Sequence, residues 1–190
     1  MRPDKLDVLR ASVLLVDVQE KLLPAIQRHA GVISACRQLL EGARLFKLPI
    51  LVTEQYPKGL GSTERTLMGA VDTTMTQVIE KPTFSAWEHE PIRQVMRTLD
   101  RPQVLVAGIE THICVQQTVL DLRSRDYDVY VCADAIGARS QLDNDTAIRR
   151  MVHAGAHMTT VESVLFELCH RCDTDDFKKL LDIIKSASPK

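Results

Sequence analysis

Short apolar runs alternate with longer amphipathic segments along the chain, which is the pattern of buried β-strands separated by helices. Six apolar runs predict strands at residues 12–18, 49–54, 76–81, 103–109, 127–135 and 156–161. Apolar residues at helical spacing predict helices at 32–48, 91–99, about 113–125, 144–155 and 175–186. Strands that alternate with helices in this way predict a parallel sheet that is covered by helices on both faces.

Right-handed crossovers between parallel strands favour a doubly wound fold, a three-layer α/β/α sandwich of Rossmann-like type. We expect its six-stranded parallel sheet to have the strand order 3-2-1-4-5-6. Ligands of such sheets bind outside the carboxyl ends of the strands, so residues that directly follow strands are candidates for a site. The connection over residues 55–75 is unusually long, and loops of this length are commonly functional or mobile.

Composition argues against several classes of function. The chain has 190 residues, of which 45% are hydrophobic, enough to fill a core. Its net charge of −1 gives no electrostatic footprint for nucleic acid or for an anionic membrane. No apolar stretch approaches the roughly 20 residues that span a bilayer, and residues 1–10 lack the apolar core of a secretory signal. The odd number of cysteines, five, predicts reduced thiols in a cytoplasmic protein.

Three reactive side chains lie at or shortly after the carboxyl ends of predicted strands, at one edge of the sheet. Asp17 follows four apolar residues, where a partly desolvated carboxylate is a good proton acceptor, although it could instead cap a helix. Lys81 precedes Pro82, and its cation would lower the pKa of a nearby thiol. Cys114 is expected in the first turn of its helix, where the helix dipole favours a thiolate. The alternatives for these two are a solvated surface lysine and a buried structural cysteine.

Two motifs have the spacing of metal ligands but lack a complete ligand set. Cys169 and Cys172 are separated by two residues, yet no second pair completes four ligands. His153 and His157 lie four residues apart, but Gly155 interrupts the helix, and the glutamate of a zinc protease motif is missing. We therefore expect no metal and no other cofactor.

The motifs together resemble those of the isochorismatase-like cysteine hydrolase superfamily, which includes nicotinamidases and carbamoylsarcosine amidase. The resemblance rests on "LLVDVQ", "KPTFSAW" and "GIETHICV", which occur in the family's order. It covers most of the chain, and we expect one domain over residues 1–190. The segment "TEQYPKGLGST" is similar to the branch of short isochorismatase-domain hydrolases. The resemblance also implies a homo-oligomer that acts on a small molecule.

The resemblance implies a catalytic triad of Asp17, Lys81 and Cys114. Asp17 would take the thiol proton, Lys81 would stabilise the charged pair, and the Cys114 thiolate would attack a carbonyl carbon. A covalent acyl- or carbamoyl-enzyme would follow, and water activated by Asp17 would hydrolyse it. A cis peptide bond is implied between Ile109 and Glu110. The backbone N–H groups of Glu110 and Cys114 would form the oxyanion hole.

The sequence departs from the family pattern in ways that bear on the reaction. Glu110 and His112 stand where the family more commonly has a small residue and an acid. Glu110 would place a second carboxylate near the thiol, so the resemblance does not determine the identity of the substrate. Residues 54–63 lack the aspartate and histidines of the nicotinamidase metal site. The presence of Cys114 argues against cleavage of a vinyl ether, the reaction of true isochorismatases.

These points favour a metal-independent cysteine hydrolase that cleaves a small amide or carbamoyl C–N bond. The alternative is a non-catalytic family member that serves as an oligomeric interaction module. A nuclease would need a basic patch or a metal cluster, and the sequence offers neither.

Five residues are candidates for contact with the substrate. Gln19 points to the same side of its strand as Asp17 and would orient Lys81 or the substrate. Aromatic side chains could wall a small pocket, although core packing is an equal alternative for the tryptophan. The complete set is Gln19, Tyr56, Phe84, Trp87 and His112.

Overall fold

Six parallel strands form one sheet in the order β3-β2-β1-β4-β5-β6 in a computed structural model that describes residues 5–187. The strands are β1 (Ala11–Val16), β2 (Ile50–Gln55), β3 (Thr76–Lys81), β4 (Gln103–Ile109), β5 (Asp128–Gly137) and β6 (His157–Thr159). Every pairing between these strands is parallel. The predicted fold class and strand order are confirmed.

Helices cover both faces of the sheet. In chain order, the α-helices of the described residues are α1 (His29–Leu45), α2 (Pro57–Leu60), α3 (Arg65–Met68), α4 (Glu90–Leu99), α5 (Gln116–Arg123), α6 (Gln141–His153), α7 (Val161–Cys169) and α8 (Asp175–Ala187). One hydrophobic core joins the sheet to α1, α3, α7 and α8, and a second core joins it to α4, α5 and α6. Over the described part of the chain, each helix is too short or too polar to span a bilayer.

The central strand β1 shows why its sequence is apolar at consecutive positions. Side chains of a strand alternate between its two faces. Val13 and Leu15 pack into the core on the α1 side, whereas Leu14 and Val16 pack into the core on the α5 side. Because helices cover both faces, alternation with polar residues is absent, as is typical of buried parallel sheets.

Several helix and strand boundaries differ from the predicted ones, because hydrogen bonds of capping residues set them. The sixth strand is shorter than residues 156–161, because Thr160 caps α7 and its side chain accepts a hydrogen bond from the N–H of Ser163. Helix α6 begins earlier than residue 144, because Ser140 caps it through the N–H of Asp143. Residues 55–75 are not a structureless loop, since they contain α2 and α3.

Gly108 allows β4 to approach β1 closely just before the candidate site. Its φ of +125° is disfavoured for residues with a side chain, and a Cβ atom at this position would lie 2.0 Å from the carbonyl oxygen of Val16. The register between β4 and β5 shifts at the same point, between Val106 and Gly108. The glycine of "GIETHICV" is therefore required by backbone packing.

Candidate active site

A buried ion pair between Asp17 and Lys81 lies at the carboxyl edge of the sheet. Asp17 directly follows β1, and Lys81 is the last residue of β3. Although β2 lies between these strands, the long lysine side chain reaches across it, and Lys81 Nζ lies 2.6 Å from Asp17 Oδ2. Both side chains are fully buried. The structure thus brings together the acid and the lysine that the strand ends suggested.

Asp17 is held by its backbone conformation and by a neighbouring threonine. Its φ of +50° lies in the left-handed region, which aspartate tolerates better than most residues, and it turns the chain out of β1. Its N–H donates to the carbonyl oxygen of Thr53 (3.1 Å), and its Oδ1 accepts a hydrogen bond from Thr53 Oγ1 (2.7 Å). Thr53 therefore engages one carboxylate oxygen while Lys81 engages the other.

The ammonium group of Lys81 is surrounded by oxygen atoms. Besides Asp17, its Nζ donates to Gln55 Oε1 (2.8 Å) and to the carbonyl oxygens of Thr83 (3.0 Å) and Phe84 (3.2 Å). A buried charge needs such compensation, because it has lost its hydration. The lysine is therefore built into the site and is not a solvated surface residue.

Two residues of this network, Thr53 and Gln55, were not among the candidates from the sequence. They are two positions apart on β2, so their side chains point to the same side of the strand. The change from the apolar "ILV" to the polar "TEQ" within this strand is the signal that could have identified them. The sequence does not reveal that they contact Asp17 and Lys81, since these contacts join different strands.

The Cys114 thiol interacts with both members of the ion pair. Burial and the negative charge of Asp17 raise the pKa of Cys114 to about 12, whereas Lys81 acts in the opposite direction. Lys81 lowers the pKa as expected, but burial and Asp17 outweigh it, so the net pKa of the thiol is raised. Cys114 also lies in a π-helical turn, Thr111–Val115, rather than in the first turn of α5. The raised pKa favours the neutral thiol as the resting form of Cys114 at neutral pH.

This arrangement can transfer a proton as a bond forms. A buried thiol that is close to a carboxylate can pass its proton to that carboxylate while the sulfur attacks an electrophile. The adjacent lysine balances the negative charge of the carboxylate before the transfer. The three side chains can therefore produce a nucleophile without a resting thiolate.

Replacing Asp17 by asparagine is expected to lower the pKa of Cys114 and to reduce its catalytic use at the same time. The charge of Asp17 and its hydrogen bond to the thiol both raise this pKa, and Lys81 remains to lower it. Ultraviolet absorbance of the thiolate, titrated against pH, measures the change after the signal of Cys114→Ser is subtracted. Asp175→Asn, at an exposed position of α8, is the matched control. A Cys114 pKa that is unchanged or higher in Asp17→Asn would contradict this electrostatic account.

The peptide bond between Ile109 and Glu110 is cis, as the resemblance implied. The carbonyl oxygen of Glu110 accepts hydrogen bonds from the N–H groups of Ile113 (3.0 Å) and Val115 (3.3 Å). Glu110 therefore anchors the π-helical turn that carries Cys114. The assignment of the Glu110 and Cys114 N–H groups to an oxyanion hole stays a prediction.

The Glu110 carboxylate is paired with Arg139, a residue absent from the candidates. Arg139 Nη2 lies 2.9 Å from Glu110 Oε1, and Arg139 Nε donates to Glu110 Oε2 (3.0 Å). The charge of Glu110 is therefore compensated by Arg139, whereas the pKa of the Cys114 thiol is shifted by burial, Asp17 and Lys81. Glu110 is therefore not a second free carboxylate at the thiol. Arg139 lies two residues after the end of β5. Its position shortly after a parallel strand is the signal that could have identified it.

Gln19 holds the segment after β2. Its Oε1 accepts a hydrogen bond from the N–H of Gln55 (2.8 Å), and its Nε2 donates to the carbonyl oxygens of Gln55 (3.0 Å) and Gly61 (2.6 Å). Its side chain is fully buried. We expected Gln19 to orient either Lys81 or the substrate. Gln19 does not bond to Lys81 directly, but it holds Gln55, whose side chain accepts a hydrogen bond from Lys81.

Tyr56 and Phe84 are exposed aromatic side chains close to the ion pair. Tyr56 lines an open cavity of about 260 Å³ together with Glu80, Lys81 and Pro82. The carbonyl oxygen of Phe84 accepts a hydrogen bond from Lys81, which places the residue beside the site. Contact of either ring with a substrate stays a prediction.

Trp87 lies away from the ion pair. Its ring packs edge-to-face against Tyr127 at a centroid distance of 5.5 Å, and Tyr127 directly precedes β5. The ring is therefore near the amino edge of the sheet, whereas Asp17 and Lys81 lie at the carboxyl edge. Trp87 is also buried in the core that joins the sheet to α4 and α5. The structure favours core packing over a role in a substrate pocket.

His112 points from the π-helical turn toward α6, where its Nε2 lies 4.0 Å from Asp143 Oδ2. Its Nδ1 is buried and has no hydrogen-bond partner among residues 5–187. Contact of His112 with a substrate stays a prediction. Within the same described range, no three or more histidine, cysteine, aspartate or glutamate side chains are grouped to hold a metal ion.

Residues 11–163 match the isochorismatase domain family. The chain is 40% identical over 176 residues to isochorismatase domain-containing protein 1 of Danio rerio, covering 92% of this chain and 60% of the relative. The chain thus spans about 60% of the length of that relative.

Two solved structures share the fold over nearly their whole length. The MAR1 ribonuclease of Caenorhabditis elegans is 33% identical with a TM-score of 0.91, covering 98% of this chain and 95% of that one. YcaC of Escherichia coli, an octameric hydrolase of unknown specificity, is 25% identical with a TM-score of 0.87, covering 99% of this chain and 100% of that one.

Proposed function

The chain belongs to the isochorismatase domain family, and from this membership we propose that it is a metal-independent cysteine hydrolase that cleaves small amide or carbamoyl C–N bonds. The single observation that carries the proposal is the fully buried Asp17–Lys81 pair in contact with the Cys114 thiol. Two buried charges are costly to maintain, and a purely structural role would be served as well by apolar side chains. A thiol beside the two charges gives them a catalytic role, since they can accept its proton and balance the resulting charge.

The first half of the reaction forms a covalent intermediate. The Cys114 thiol passes its proton to Asp17 while the sulfur attacks the carbonyl carbon of the substrate. Backbone N–H groups of Glu110 and Cys114 donate to the oxyanion of the tetrahedral intermediate. When the C–N bond breaks, the protonated Asp17 returns the proton to the leaving nitrogen, and a thioester to Cys114 remains.

The second half releases the product. Asp17, again a carboxylate, takes a proton from a water molecule that attacks the thioester carbon. The C–S bond breaks, the acid product leaves, and the proton held by Asp17 returns to the sulfur. Lys81 stays charged throughout and offsets the carboxylate whenever it is ionised.

Labelling by a small electrophile tests this proposal before a substrate is known. We expect acrylamide to modify Cys114 at least about tenfold faster than Cys36, as measured by peptide mass spectrometry under native conditions. Both thiols are buried and have raised pKa values, but Cys114 alone of the two has Lys81 and Asp17 at its sulfur. Cys36 instead donates to the carbonyl oxygen of Ala135 (3.3 Å). Equal labelling of the two cysteines would count against a catalytic thiol.

A non-catalytic interaction module is the alternative within the family. For such a protein, Cys114→Ala should leave every cellular phenotype of the protein intact. Ribonuclease activity is a second candidate, and it rests on the name of the Caenorhabditis elegans neighbour. Incubation of the purified protein with RNA decides this point, because cleavage that persists in Cys114→Ser excludes the cysteine mechanism as its source.

Homo-oligomeric assembly in a reducing compartment such as the cytoplasm is part of the proposal. It is supported by the octameric state of the Escherichia coli neighbour and by the five cysteines, all of which are free thiols. Light scattering of the purified protein measures its mass against the 21.3 kDa of one chain.

A further inference from the structure

We infer that the outer face of α6 is the surface through which two copies of this chain pair, with their α6 helices antiparallel about a two-fold axis. The inference rests on the homo-oligomeric assembly proposed above and deepens it, since it names the surface that assembles. It does not depend on the cysteine chemistry. Three observations support it, namely an exposed leucine, an apolar cavity at the other end of the same helix, and a separation of charge along the helix.

One face of α6 is exposed along the whole helix. Residues three or four positions apart lie on the same side of a helix. Four exposed residues share this face: Leu142, Thr146, Arg149 and His153. Leu142 is the most apolar of them, and it is 76% exposed. The opposite face is buried through Ala147 and Met151, so the exposed face is the one that a partner can reach.

An open cavity of about 550 Å³ lies beside the C-terminal half of this face. Leu120 of α5 and Ala154 contribute to its lining, and its surface is mostly apolar. Leu142 is in the first turn of α6, eleven residues and about 16 Å of helix before His153, which also lines the cavity. The leucine therefore cannot fill the cavity of its own chain. It can fill the cavity of a second copy whose α6 runs in the opposite direction.

The charges of α6 favour the same arrangement. Its N-terminal half carries Asp143 and Asp145, and its C-terminal half carries Arg149 and Arg150. An antiparallel copy places each acidic half beside a basic half, whereas a parallel copy would place like charges together. A two-fold interface requires a surface that is complementary to itself, and this helix has that property.

The two arginines have no partner within their own chain. Among residues 5–187, neither the Arg149 nor the Arg150 guanidinium forms a hydrogen bond or an ion pair. Asp145 lies four residues before Arg149, the usual spacing of a pair on one helix. It accepts a hydrogen bond from Gln141 Nε2 (2.8 Å) instead. The arginine charges are therefore available to a second copy.

One register satisfies the leucine and the charges together. When the two-fold axis crosses the middle of α6, Leu142 of one copy lies beside Ala154 of the second copy, at the cavity. In the same register, Asp145 of one copy lies opposite Arg150 of the second copy. Symmetry produces each of these contacts twice.

The test reverses the charges of one half of α6 at a time. Arg149→Glu/Arg150→Glu makes the helix acidic throughout, and Asp143→Lys/Asp145→Lys makes it basic throughout. Size-exclusion chromatography with light scattering measures the mass in multiples of 21.3 kDa. Each variant alone should have half the mass of the wild type, because like charges then oppose each other. An equimolar mixture should recover the wild-type mass, because an acidic helix can pair with a basic one.

Leu142→Arg is a second way to break the pairing, since it places a charge at the apolar cavity and beside the basic half of the second copy. Its exposed position lets the chain fold, and the mass should again be halved. Lys178→Glu/Lys179→Glu reverses two exposed charges on α8 and should leave the mass unchanged. Circular dichroism confirms that each variant is folded.

A wild-type mass in folded Leu142→Arg and in both charge variants overturns the inference, and assembly through another surface then stands. Folded charge variants whose mixture does not recover the wild-type mass also overturn it. If the wild-type protein is a monomer, the proposed assembly fails and the inference fails with it.

Discussion

Replacing Lys81 by methionine is expected to lower the free energy of unfolding by about 3–5 kcal/mol, since it leaves the Asp17 charge buried without its partner. The pair is fully buried with an N–O distance of 2.6 Å, and the lysine also bonds to three other oxygens. Urea unfolding monitored by circular dichroism measures the loss. Hydrolysis should be lost as well, because the carboxylate that takes the thiol proton is no longer balanced.

Two further variants separate stability from catalysis. Asp17→Asn/Lys81→Met removes both charges, and we expect it to recover most of the lost stability while staying inactive. Lys179→Met removes the lysine of an exposed pair with Asp176, at 3.2 Å, and should change stability little. A loss of stability at Lys81 no larger than that at Lys179 would show that the buried pair is not held as described.

Replacing Cys114 by serine is expected to reduce hydrolysis by at least about 10³-fold, because the nucleophile of a covalent mechanism is removed. A serine hydroxyl releases its proton less readily than a thiol and has no histidine beside it here to act as base. A panel of small amides and carbamoyl compounds is the assay. Intact-protein mass spectrometry should detect the acyl adduct in the wild type and none in the variant.

Cys172→Ser is the matched control for that experiment. It makes the same substitution at an exposed thiol near the end of α7, and hydrolysis should stay within about twofold of wild type. Retention of more than about a tenth of the activity in Cys114→Ser would rule out Cys114 as the nucleophile.

The fold was predictable from the sequence because its signals are local. Four consecutive apolar residues in β1 face two different cores, and an uninterrupted apolar run of this kind indicates a strand that is buried on both faces. The positions of Asp17, Lys81 and Cys114 near strand ends followed from the same pattern, since the carboxyl ends of parallel strands lie at one edge of the sheet. Boundaries were less predictable, because caps such as Ser140 and Thr160 depend on individual hydrogen bonds.

The electrostatics of the site were not predictable in the same way. The charge of Lys81 and the dipole of a helix both favour a lowered thiol pKa, and both can be inferred from the sequence. Burial of Cys114 is the largest influence on its pKa, and it depends on how remote segments pack over the π-helical turn. The sign of the shift was therefore decided by tertiary packing.

The chain by itself determined the parallel sheet, its strand order and the set of strand ends that carry reactive groups, because these depend on periodicity and on chain geometry. Only the tertiary structure decided which side chains meet. The contacts of Gln55 with Lys81 and of Arg139 with Glu110 join residues 26 and 29 positions apart, on different strand ends. Trp87 was assigned to the core for the same reason, since its partner Tyr127 is remote in sequence. Such contacts require the folded sheet, which brings distant segments within hydrogen-bonding distance.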